Sequence, residues 1–385
     1  MARRTVRELT GRLVGLGMVA EDKAAEMLAR IGKWNSLDEE LAEDDLFGWL
    51  PEFGIAISVH GEDVDYVEYY YRYLLEDEVA ACTGGAVVVT DLVLVRDEDD
   101  EDDDDEFLHF LHNGEPVWWS VEHQSDDYAD QVAVAQQIGD LNPGGDDPRI
   151  FFQLQREKVE ACQDDVYVLA SPEQARALRD EFDLDFHGLD AVWPRRGAAP
   201  TAEPGTVEWH MQEDRRYMTE PAKEFLDRWL SDMDGALDEW RAGFLPEHFP
   251  FDFSLDSLDV LGQLVLDRFP DRSAVREAAE DPFVVGAVRY LGETLIRNGP
   301  NHWACQDLVG TADDWMPMIR PNTPDAFQLA MIPLDELGHA AADRDPGILG
   351  EAAEGLRESA DRYAKALRLL DSIRQGGPEL SEVDA

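Results

Sequence analysis

The sequence predicts an α+β protein of two domains: residues 1–193 build a mainly antiparallel sheet with helices, and residues 207–385 form a helix-rich domain with a few strands. Three observations carry this expectation. In the first half, strand-type runs come as hairpins beside isolated amphipathic helices, unlike the strict strand–helix alternation of a doubly wound nucleotide fold. Residues 194–206, PRRGAAPTAEPGT, are rich in Pro, Ala and Gly and read as a linker. Beyond them, apolar residues recur mainly at helical spacing.

The N-terminal elements follow from local pattern. Val6, Leu9, Leu13 and Leu16 keep helical spacing, Gly17 breaks it, and Ala24, Met27, Leu28 and Ile31 form a second face, so residues 5–31 read as a helical hairpin. Phe53–Val59 alternates as a strand does. Over Asp63–Leu75, Val64, Val67, Tyr71 and Leu74 share one helical face, and Tyr66, Tyr69, Tyr70, Tyr71 and Tyr73 crowd the same segment. Most of these rings are expected to pack on a sheet, while Tyr69 and Tyr70 are candidates for a binding surface, where tyrosine is enriched.

The β-branched run Ala86–Val95 reads as a buried strand. Phe107–Leu111 and Pro116–Glu122 pair around Asn113-Gly114, a strong hairpin signal. Asp126 or Asp127 is expected to cap a helix running to Ile138. Ile150–Leu154 and Val166–Ala170 are strands, and Ser171-Pro172 opens a helix to Phe182. In the second half, Ala222–Leu230, Ser231–Trp240 and stripes through Leu258–Phe269 and Val284–Leu295 read as helices. His302–Leu308 and Ala326–Ile332 read as strands. Leu349, Ala353, Leu356, Ala360, Tyr363, Leu367 and Leu370 form a heptad-like seam.

Charge narrows the function classes. The chain has 385 residues with 84 Asp and Glu against 33 Lys and Arg, a formal net charge of -51. Residues 1–200 carry 47 acids and 16 bases, so the excess is spread along the chain and is not one tail. Such a field repels phosphate backbones and anionic bilayers, which argues against nucleic-acid and membrane partners. Three readings of the acidity stay open: solubility in a salt-rich cytoplasm, an acidic surface for a basic protein partner, and cation binding. The longest acidic run is Asp97, Glu98, Asp99, Asp100, Glu101, Asp102, Asp103, Asp104, Asp105 and Glu106, expected as a loop between two strands of one sheet. It lacks the alternation and central Gly of a calcium loop.

Cys82, Cys162 and Cys305 are odd in number and far apart, which fits a reducing compartment and gives neither a disulfide framework nor a zinc knuckle. The apolar stretch Leu13–Ala20 runs into Glu21-Asp22-Lys23 and keeps helical spacing, so it reads as a helix and not as a signal peptide, and the cytoplasm is the expected location. No nucleotide-binding glycine pattern, metalloprotease motif or nucleophile elbow stands in a convincing context, so no catalytic residue, cofactor or metal ligand is assigned. Asn142-Pro143-Gly144-Gly145 is a poor phosphate cradle, because Pro143 offers no N–H. Glu122 and His123 stand near Asp126 and Asp127, but adjacent strand residues face opposite sides, so a solvated strand end is expected there. Trp118 and Trp119 beside His109 and His112 read as cross-strand packing. His339 has no second histidine nearby and reads as structural.

Tyr290-Leu291-Gly292-Glu293, late in a helix and followed by a turn and Trp303 on a strand, resembles small bacterial α+β domains of uncharacterised function. The likeness covers roughly residues 255–332. Some such acidic domains occur among immunity-type proteins, so the resemblance implies protein binding. The expectation is a non-enzymatic binding protein for a basic partner, with an immunity- or antitoxin-like neutraliser as one form. The alternatives are a hydrolase or transferase acting in a cleft between domains, and an acidic scaffold of a salt-adapted organism.

Overall fold

The structure, a computed structural model, describes residues 4–41, 43–62, 64–97, 105–123, 125, 127–155, 164–190, 197–306 and 315–376. The chain is an α+β protein with antiparallel sheets, and it divides into two compact units, Met1–Ala191 and Val192–Ala385. In the first unit, helices α1 (Val6–Gly15) and α2 (Glu21–Ile31) form the expected hairpin, with Gly17 at φ 70° turning the chain between them. They are followed by α3 (Glu43–Glu52) and strand β1 (Ala56–His60).

The tyrosine segment is α4 (Val67–Arg72), a π-helical turn at Tyr73–Glu78 and α5 (Val79–Thr83), stopped by Gly84 at φ 68°. Then come β2 (Val89–Val95), β3 (Glu106–His112) and β4 (Glu115–Val121), which form a three-stranded sheet in that order. Asn113 and Gly114 both take positive φ, the left-handed pair that a two-residue hairpin needs. Helix α6 (Gln131–Gln137) is capped by Asp130, whose carboxylate accepts from Ala133 N at 2.9 Å. The expected caps, Asp126 and Asp127, are displaced because the helix starts later; Asp126 lies outside the described residues.

Strands β5 (Ile150–Gln155), β6 (Asp164–Ala170) and β7 (Asp185–Phe186) complete a second sheet in the order β1-β6-β5-β7. Between β6 and β7 lies α7 (Pro172–Phe182), whose Ser171 and Gln174 satisfy each other's backbone N–H groups in a capping box. Strand alternation assigns this sheet two cores. Ile57, Val59, Phe151, Tyr167 and Leu169 face the other sheet, the tyrosine segment and α6. Phe152, Leu154, Val166, Val168 and Ala170 face α1, α2, α3 and α7.

The second unit contains α8 (Val207–Arg215), α9 (Glu220–Ser231), α10 (Met233–Phe244), α11 (Asp256–Arg268), α12 (Arg272–Glu277) and α13 (Pro282–Arg297). A two-stranded ladder of β8 (Asn301–Gln306) and β9 (Met316–Pro321) follows, then α14 (Pro333–Asp343) and α15 (Ile348–Gly376). Residues 197–206 do not hang free as a linker. Gly197 N donates to Arg216 O at 2.8 Å, and Thr201 N donates to Gln212 Oε1 at 2.7 Å, which lays this stretch along α8.

Helix α13 organises the core. Tyr290 donates to Ser257 Oγ and accepts from Phe253 N, and Glu293 accepts from Trp303 Nε1 at 2.9 Å. A Cβ on Gly286 would stand 2.0 Å from Trp240 Cδ1, and one on Gly292 would stand 2.1 Å from Trp303 Cη2, so only glycine admits the two indoles. The Tyr290-Leu291-Gly292-Glu293 motif therefore has a complete packing role.

The strand expected at Ala326–Ile332 is absent: a 3₁₀ turn, Asp325–Phe327, stands there, and only Met331 bridges to Ile319. The partner of β8 is β9, whose two prolines disguise it. Ile319 N donates away from β8, to Met331 O. Pro317 and Pro321 share its parity, so their missing N–H groups face the side where β8 needs none. The last helix follows the expected seam only in part: Leu349, Leu356 and Leu370 are buried and Ala353, Ala360 and Tyr363 half-buried, but Leu367 is exposed and Ala366 takes the buried position beside it.

Candidate functional site

The tyrosine segment has an inner and an outer flank. Val67, Tyr71, Leu74 and Leu75 are buried, as their helical spacing requires. Tyr66, Tyr69 and Tyr73, three and four residues apart, lie on the opposite flank with 74%, 72% and 50% of their surface exposed. Such a stripe of large rings in water is unusual on a helix whose other side is already packed. The π-helical turn begins at Tyr73, and π-turns inside helices frequently mark functional positions.

Over residues 62–78 there are seven carboxylic residues and one base, Arg72, which is paired with Glu68 at 2.7 Å. Tyr73 Oη donates to Glu78 Oε1 at 2.9 Å; that hydrogen bond and the Glu78 charge raise the Tyr73 phenol above its ordinary range. The outer flank is thus aromatic and anionic.

The inner flank is wired to the end of the acidic run. Glu106 is the first residue of β3, opposite Val121, and accepts from His123 N at 3.2 Å and from His123 Nδ1. With Nδ1–H held by that carboxylate, His123 Nε2 is left to accept from Tyr71 Oη at 3.1 Å. Tyr71 Oη in turn accepts from Asp130 N at 2.8 Å. Burial pushes the Tyr71 phenol up and keeps it protonated, as a donor must be. Glu122 is exposed while the His123 side chain is 3% exposed, so the two do face opposite ways, but His123 is a buried link and no solvated strand end.

The structure separates the residues that the sequence offered together. Tyr69 is on the surface. Tyr70 is half-buried, its Oη accepting from His60 N at 2.6 Å, and burial pushes its pKa up to about 12. That contact gives a backbone N–H at the end of β1 its acceptor and turns the phenol away from the row of exposed rings. Of the acidic run, Asp97 and Asp105 flank the mouth of the connection between the paired β2 and β3. Glu98, Asp99, Asp100, Glu101, Asp102, Asp103 and Asp104 lie outside the described residues. Glu106 belongs to the strand and the relay. Trp118 packs on His109 at 4.7 Å between ring centres, and Trp119 is buried with Nε1 donating to Asp140, as cross-strand packing requires. His339 stands on α14, 3.6 Å from Glu336.

Sequence reasoning missed a buried polar cluster in the second unit. Asp214 on α8 accepts from His302 Nε2 at 2.8 Å and from Arg320 at 2.7 Å, so one carboxylate ties α8 to both β8 and β9. His302 Nδ1 lies 2.7 Å from Asn322 Oδ1. His210 stacks on His302 with ring centres 6.3 Å apart. Burial, then the neighbouring His302, lowers His210 to about 4, so it is neutral at physiological pH. Asp214, His302 and Arg320 thus form a buried polar clasp, with His210 stacked against it. His210 and Asp214 share a helix face at i, i+4, a spacing visible in the sequence; their partners, about 90 and 105 residues later, give no local signal.

A half-open depression of about 320 Å³ is lined by Asp238, Arg241, Leu245, Glu247, Phe249 and Phe251, with Arg241 over the Phe251 ring at 4.8 Å. Among the described residues no group of His, Cys, Asp and Glu has a metal-holding arrangement, and no helix is long and apolar enough to cross a membrane.

Compared with family models, with curated proteins and with solved structures, the chain has no match in any of the three.

Proposed function

We propose that this chain is a non-enzymatic binding protein that captures a basic protein partner, with the outer flank of the tyrosine segment as the docking face. The observation that carries the reading is the exposed row of Tyr66, Tyr69 and Tyr73 among seven carboxylic residues and a single, already paired arginine. Tyrosines supply contact area at low entropic cost, and distributed negative charge steers a positive partner over a Debye length of about 8 Å at physiological salt. The acidic run Asp97–Glu106 adds to the steering field. Neutralising a basic toxin in the reducing cytoplasm is the form of this function to which the sequence resemblance points.

The test compares the wild-type chain with a Tyr66→Ala, Tyr69→Ala, Tyr73→Ala variant in capture from the native host, followed by binding kinetics on the purified partner. A stoichiometric basic partner should be retained at physiological salt by the wild type and released much faster by the variant. Its association rate should fall steeply as salt rises. A smear of basic proteins bound equally by both chains and washed off together by salt means that the charge is generic, and solubility then replaces capture as its explanation.

A further inference from the structure

Resting on that reading, we infer that the docking face is built for guanidinium groups, so that the partner meets Tyr66, Tyr69 and Tyr73 with arginines and not with lysines. Two features of the face lead there. The three rings keep half or more of their surface exposed, and a planar cation can lie against such a ring. Asp65 and Asp77, at the two ends of the row, are exposed and make no hydrogen bond or ion pair among the described residues, so carboxylate acceptors stand open beside the rings. A guanidinium uses both features at once, stacking by its face while its edge donates two hydrogen bonds to a carboxylate. An ammonium is a compact, strongly hydrated charge that gains less from the ring and keeps its water.

The chain makes the same combination internally. Arg297 lies 3.5 Å over the Phe253 ring while its NH2 donates to Glu293 at 3.3 Å. Arg289 lies 3.9 Å over the Trp229 ring with Asp232 3.9 Å away. In both, an aromatic face and a carboxylate hold one guanidinium. The tyrosine face offers the same two groups, exposed rings and exposed carboxylates. Arg72, the helix's own arginine, is engaged with Glu68.

The experiment uses the full chain with oligo-arginine and oligo-lysine peptides matched in length and charge, with affinity measured by titration calorimetry at physiological salt. The arginine peptide should bind roughly tenfold tighter, the combined effect of several exposed ring contacts. The Tyr66→Ala, Tyr69→Ala, Tyr73→Ala variant, with unchanged circular dichroism, should lose that preference while keeping the weaker charge-driven binding. The corresponding triple Phe variant should keep it, because the rings remain. Equal affinity of the wild type for both peptides, or a preference that survives the alanine variant, overturns the guanidinium inference and leaves capture of a basic partner standing. Failure to bind either peptide overturns both.

Discussion

Single side chains in this protein carry pH dependence as well as packing. His210 is buried beneath Trp209 and against His302, with Asp214 and Arg320 the charged groups nearest to it. Its folded pKa of about 4 lies below the ordinary value near 6.5, so the unfolded chain binds the proton more readily. The stability that His210 contributes is therefore complete above pH ~6.5 and is lost as pH falls through 6.5 towards 4. The loss is up to ~3 kcal/mol, one ionisation paid for by a shift of that size. Replacing His210 by Gln should flatten this part of the stability profile relative to the wild type. Urea unfolding of both chains at several pH values between 4 and 7 checks it, and parallel profiles would mean that another group titrates there.

At the scale of elements, the tyrosine segment divides its work between two flanks. The inner one is anchored by Tyr71, whose hydroxyl serves both His123 and Asp130 N. Tyr71→Phe takes the hydroxyl from both partners, of which the His123 side chain is buried, and should cost about 1–3 kcal/mol in urea unfolding. Tyr69→Phe, at an exposed position, should stay within about 0.5 kcal/mol of the wild type. Equal effects at the two positions would contradict the division. The face of this helix was readable from Val64, Val67, Tyr71 and Leu74. The π-turn was not, because a backbone bond from i to i+5 leaves the apolar pattern almost unchanged over one turn. The relay has a clearer signal in retrospect: the Asn113-Gly114 turn sets a register in which Glu106 lies opposite Val121, two residues before His123.

For the whole molecule, a net charge of -51 is a self-repulsion that salt should relieve. The connection between β2 and β3 concentrates that repulsion, and its ends already meet where Val95 pairs with Phe107. Replacing residues 98–104 by a short neutral turn should preserve the fold and raise the melting temperature at low salt, with the difference shrinking in ~1 M salt, where screening acts within about 3 Å. Glu106 has to be kept, because its carboxylate holds His123. A lower melting temperature at every salt concentration would show that the removed residues bear on the fold.

The sequence by itself determined the α+β class, the helical hairpin, the Asn-Gly strand pair, the capped helix after Ser171 and the distributed acidity, because each rests on local propensity, periodicity or plain counting. Tertiary structure alone decided which tyrosines face water. It also hid β9 behind two prolines whose parity spares the ladder, and drew Asp214, His302 and Arg320 into one clasp. These outcomes depend on contacts between residues far apart in the chain, where burial and hydrogen-bond satisfaction outweigh any local preference.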